Sequence, residues 1–173
     1  MNEDFALRLP IDRIRDGERI DLSAGEAERR AIAERLGLPA LERLEAHAVL
    51  KRAGEAIMAE GRVAAALEQA CVVTGEPVAA FVDEPFALAF VPVPRGAAPE
   101  EEIELSASEC DTMFHDGQAI DLGAAIADTL ALALDPYPRS AGADAALKEA
   151  GVISEEQAGP FAVLAQLKGK GKE

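Results

Sequence analysis

The sequence carries few side chains with soft donor atoms: His47, Cys71, Cys110 and His115. Thiolates and imidazoles in that number could make a tetrahedral zinc site. Their spacing argues against one. Structural zinc sites bring ligands in close pairs, whereas the nearest pair here, Cys110 and His115, has four residues between and no second close pair exists. Cys71 as a nucleophile would need a base, and the sequence places none beside it. His115 next to Asp116 is adjacent in sequence only, which does not make a dyad. Asp121 and Asp128 lie seven residues apart and would share a helix face as two carboxylates, although capping suits the first and solvent the second. There is no Gly-x-x-x-x-Gly-Lys phosphate loop and no Gly-x-Ser-x-Gly elbow. The residues point away from an enzyme, a bound metal or any other cofactor, and Cys71 reads most simply as a small buried hydrophobe.

These residues hang on a helix expected over 121–134. Leu122, Ile126, Leu130 and Leu134 recur every four residues, Asp121 suits the first turn as a cap, and Pro136 forbids continuation. The alanines between them make the helix thin enough to pack closely on a sheet. Upstream, Phe5, Leu7 and Leu9 alternate as a strand. Asp16-Gly17 signals a turn, and Ile20 and Leu22 alternate again, so a hairpin is expected to open the chain. Ser23-Ala24-Gly25-Glu26 reads as a capping box for a helix running to about Leu36, stopped by Gly37 and Pro39.

From Leu41 the period becomes two, with Leu44, Ala46, Ala48 and Leu50 on one side. Residues 55–70 are ambiguous: alanine content favours helix, while the alternation of Val63, Ala65, Leu67, Gln69 and Cys71 favours strand. Val78 to Phe90 alternates across Pro85, which calls for an edge or a bulge. A proline-rich loop follows. Short strands are expected at Ile103–Leu105 and at Cys110–His115, ahead of a turn at Asp116-Gly117. A short helix over 143–150 ends at Gly151, and Pro160 opens a last helix.

Charge is the most informative bulk property. The 173 residues hold 17 basic and 32 acidic groups, a net −15. Residues 53–167 hold twenty acids against four bases, Arg62, Arg95, Arg139 and Lys148. Duplex nucleic acid binding needs a continuous basic surface. The acidic middle would repel it and attract a basic partner, or would simply keep the chain soluble. Glu100, Glu101, Glu102 and Glu104 are the candidate partner-binding residues. Arg29 and Arg30, with Lys168, Lys170 and Lys172 of a flexible tail at 168–173, are the candidate RNA contacts. Arg29, Arg30 and Arg35 also fit an ordinary solvated face. No run is apolar enough for a membrane helix, and Met1-Asn2-Glu3-Asp4 lacks a signal peptide's basic and apolar regions. A cytoplasmic protein with reduced thiols is the expectation.

Three motifs stand in order: Cys71 opening a turn with Gly75, Ile-Asp-Leu at 120–122 opening a helix, and Pro-Phe-x-x-Leu at Pro160, Phe161 and Leu164. In these the chain resembles the YceD family of bacterial and plastid proteins, named for large ribosomal RNA subunit accumulation. The resemblance favours strand over 55–70. It also implies one YceD-like domain over 1–167 of α+β class: an antiparallel twisted sheet or partly closed barrel packed by the 121–134 helix, with the N-terminal hairpin and helix beside it. The function it implies is a non-catalytic factor supporting 23S rRNA accumulation and large-subunit biogenesis, meeting a basic ribosomal or assembly protein. The alternatives are a direct RNA-binding module or, least favoured, a metal-dependent enzyme. Many members of the family carry a second cysteine three positions after the first, and some add cysteines after the main helix. Here those places hold Thr74 and a cysteine-free stretch from Arg139 to Leu147.

Overall fold

A computed structural model describes residues 8–93 and 111–152. The elements in chain order are β1 (Arg8–Pro10), a 3-10 turn (Ile11–Arg13), β2 (Glu18–Ser23), α1 (Glu26–Leu36), β3 (Ala40–Ala53), β4 (Ala56–Ala70), β5 (Pro77–Pro92), β6 (Thr112–His115), β7 (Ala119–Asp121), α2 (Leu122–Ala133) and α3 (Ala143–Glu149). The class is α+β, and residues 55–70 lie almost wholly in a strand. The chain divides into two compact units.

Among the described residues the larger unit holds 8–69, 79–93 and 111–136. Its centre is an open five-stranded sheet in the order β2-β3-β4-β5-β6. The sheet is not closed into a barrel, and it is mixed where an antiparallel one was expected: β6 pairs in parallel with Ala89–Pro92 of β5. A parallel neighbour needs a connection long enough to return to the same end of the sheet, and the stretch between Pro92 and Thr112 supplies it. Because β6 pairs only with the last residues of β5, Pro85 sits on a stretch where β6 asks for no ladder hydrogen bond.

The opening hairpin does not form. β1 pairs with β7, Arg8 opposite Asp121, in a separate two-stranded sheet, and β2 pairs with β3. The Asp16-Gly17 turn explains the difference. Gly17 N donates to Leu50 O at 2.8 Å, and Asp16 Oδ1 accepts from Arg52 N at 2.9 Å, so the turn is tied to β3 and feeds β2 alongside it. The capping box also moves. Ser23 is still in the β2 ladder opposite Glu45, so α1 starts two residues later than expected. Gly25 is its cap, with Glu28 Oε2 accepting from Gly25 N at 2.6 Å. Gly37 closes α1, as the sequence indicates.

β3 and β4 form a long antiparallel ladder from Ala40↔Glu68 to Ala53↔Ala56, with a register shift between Leu41 and Arg43. The shift lets Leu41 and Leu44, three residues apart, both face the core, which strict alternation would forbid. Gly61 lies opposite Ala48 in this ladder, and a Cβ there would run into the His47 carbonyl oxygen. Only glycine allows the two backbones to approach so closely. The core joins Leu44, Leu50, Ile57 and Val63 of the sheet to Ile32 of α1 and to Leu122, Ile126 and Leu130 of α2. The three α2 residues have no exposed surface, as their four-residue spacing predicts, while Leu134 caps the helix end and packs against the core from its edge. Each such side chain contributes about 1.5–3 kcal/mol by leaving water.

Among the described residues the smaller unit holds 70–78 and 137–152. Within it, Val72 N donates to Pro138 O at 2.9 Å and Ala143 of α3 is buried. α3 occupies the expected place. The expected strand at 103–105, the final helix from Pro160 and the lysine tail lie outside the described residues, as do Glu100, Glu101, Glu102, Glu104, Cys110, Phe161 and Leu164.

Candidate functional site

Cys71 follows Ala70, the last residue of β4, and starts a tight turn. Gly75 N donates back to Cys71 O at 2.9 Å, with Gly75 left-handed at φ 73°, and Cys71 N donates to Glu76 O at 2.8 Å. This turn fixes Thr74 above the sulfur. A second segment, Pro138 to Gly142, reaches the same place. Cys71 Sγ accepts from Thr74 N at 3.4 Å and from Ser140 N at 3.2 Å. The hydroxyls of Thr74 and Ser140 lie 3.2 Å from each other. Thr74 Oγ1 donates to Glu76 Oε2 at 3.0 Å.

Cys71 is only 3% exposed, yet its sulfur is met by two backbone donors. The Ser140 N–H foremost, with Thr74 adding to it, stabilises the thiolate. Burial opposes them and loses, and the thiol is lowered to about 6. Cys71 is thus not the inert buried hydrophobe of the simplest reading. The donor set does not fit a zinc ion: one thiolate and one carboxylate face two neutral hydroxyls, which are weak zinc ligands. Among the described residues no group of three His, Cys, Asp or Glu side chains is placed to hold a metal ion.

The other candidate residues are placed in the larger unit. His47 is exposed on β3, opposite Asp21 and Arg62. These line a groove of about 350 Å³ on the sheet's outer face, where Arg62 is held by Asp83 at 2.9 Å. His115 is buried at the end of β6. Its Nδ1 accepts from Gly117 N at 3.0 Å, and its Nε2 has no hydrogen-bond partner among the described residues. Asp116 Oδ1 accepts from Gln118 N, which with Ala119 N–H and nearby Arg8 holds its carboxyl below the usual range. Asp121 Oδ1 accepts from Ala124 N at 2.9 Å as the cap of α2, and Asp128 meets Arg35 at 3.4 Å, so neither is a bare catalytic carboxylate. Arg29 donates to Ala24 O at 2.7 Å and Arg30 to Glu26 at 2.8 Å.

Sequence reasoning singled out Cys71 and noticed Thr74, but it missed Ser140. Nothing in a Pro-Tyr-Pro-Arg-Ser stretch announces that it will close over a sulfur 69 residues away.

A family model described as large ribosomal RNA subunit accumulation protein YceD matches residues 59–168, more than half of the chain. No curated protein and no solved structure matches the chain at a significant level.

Proposed function

The chain belongs to the YceD family of large ribosomal RNA subunit accumulation proteins, and from that premise we propose that it is a non-catalytic factor supporting 23S rRNA accumulation and large-subunit biogenesis, acting through an acidic surface that binds a basic protein. The family match carries the ribosomal part of this reading.

The acidic surface rests on charge. Along described residues 53–93 and 111–152, thirteen acids stand against Arg62, Arg139 and Lys148, and all but Glu68 and Asp121 are exposed. Arg62 is paired with Asp83 and Arg139 with Asp144, so little positive charge is left to offset the field. Such a field speeds encounter with a cationic partner and opposes RNA. Glu100, Glu101, Glu102 and Glu104 fall within the family match and are proposed as its densest part. Arg29 and Arg30 already have partners within the chain, which supports a protein partner over a direct RNA-binding module.

A pull-down from cell extract, with and without nuclease, tests this. A basic ribosomal or assembly protein retained after nuclease is the expected result. Loss of everything captured on nuclease treatment would turn the reading to RNA binding.

A further inference from the structure

We infer that the Cys71 turn has the arrangement of a metal-binding knuckle in which two hydroxyls, Thr74 Oγ1 and Ser140 Oγ, occupy ligand positions, so that hydrogen bonds hold together what a metal would otherwise hold. The inference is independent of the proposed ribosomal role.

Three observations carry it. The first is spacing. Thr74 follows Cys71 by three, the interval at which paired thiolates bind zinc from one turn. The second is convergence. Thr74 Oγ1 and Ser140 Oγ come from two segments and lie 3.2 Å apart, beside a sulfur that accepts from the backbone N–H of both residues. The third is the donors on the sulfur. Backbone N–H groups of Thr74 and Ser140 point at it, as they do at the charged thiolates of metal sites.

The N–H groups are compatible with a metal. The hydroxyls decide against one. A threonine or serine hydroxyl stays protonated at neutral pH and gives a metal no charge to bind. The Thr74 proton serves instead the Glu76 carboxylate, and the two hydroxyls share a hydrogen bond of 3.2 Å. Glu76, reached by Thr74 Oγ1 at 3.0 Å, completes the cluster and would be the remaining oxygen ligand of a restored site.

The full-length chain and its Thr74→Cys/Ser140→Cys variant test this with zinc and Co²⁺ as probes. The native chain should take up no stoichiometric metal, and chelator should leave its melting temperature unchanged. The double variant should bind one Co²⁺ per chain with a thiolate-to-cobalt charge-transfer band. Its zinc affinity should be higher by orders of magnitude, and its melting temperature should rise with zinc and fall with chelator. Should the double variant misfold by circular dichroism, Thr74→Cys alone should still bind Co²⁺ more tightly than the native chain. A native chain holding one zinc that is lost on Cys71→Ser would overturn the inference. So would a folded double variant, or a folded Thr74→Cys variant, binding no better than the native chain.

Discussion

The thiol of Cys71 is held at about 6 by the Ser140 N–H and its neighbours, against 9.0 for a free cysteine. A group whose folded value is depressed adds stability above its unfolded value, and that stability is lost as pH falls through the folded one. Stability should therefore rise with pH between about 6 and 9, and Cys71→Ala should flatten this rise. Denaturant midpoints across that window check it, and the thiolate absorbance should titrate in the same range. Parallel curves for the two proteins would show that the sulfur is not ionised there. At this scale the sequence was half legible. Thr74 stands three residues from Cys71 and can be read as a missing ligand. Ser140 is brought in by the fold, and no local pattern marks it.

The helix α2 and the strand β3 were legible because their burial follows their period, whereas β4, rich in alanine, was ambiguous by period and was read as a strand only through the family resemblance. The stripe of Leu122, Ile126 and Leu130 names the buried face of α2, and Leu130→Ala should cost roughly 2–5 kcal/mol through lost transfer energy and the cavity left behind. An unchanged denaturant midpoint would mean that the stripe does not hold the core. Gly61→Ala should cost about 1–3 kcal/mol, because the added methyl must push β4 away from the His47 carbonyl. A thermal melt equal to that of the native chain would contradict that contact. What periodicity could not supply was pairing. The alternation at Leu9 and at Ile20 is real, yet nothing in it tells β1 to pair with β7 and β2 with β3. That choice was made by Asp16 and Gly17 bonding to Arg52 and Leu50, residues far along the chain. The parallel placement of β6 was hidden for the same reason.

For the whole molecule, the ordered motifs carried the family, which the match over residues 59–168 bears out, whereas the charge imbalance supports only the proposed acidic surface. If the acidic field draws in a cationic partner, replacing Glu100, Glu101, Glu102 and Glu104 by glutamine should slow association about tenfold at low salt and much less at high salt. Stopped-flow or surface-binding kinetics at two ionic strengths would read this. Deleting residues 168–173 should leave the same rate nearly unchanged, because three lysines release few counterions and belong to the weaker RNA reading. The most direct test of the central claim is the ratio of large- to small-subunit rRNA in cells lacking the protein. The account predicts that the ratio falls, that the native chain restores it, and that the four-glutamine variant restores it poorly. A ratio unchanged by the loss of the protein would contradict it.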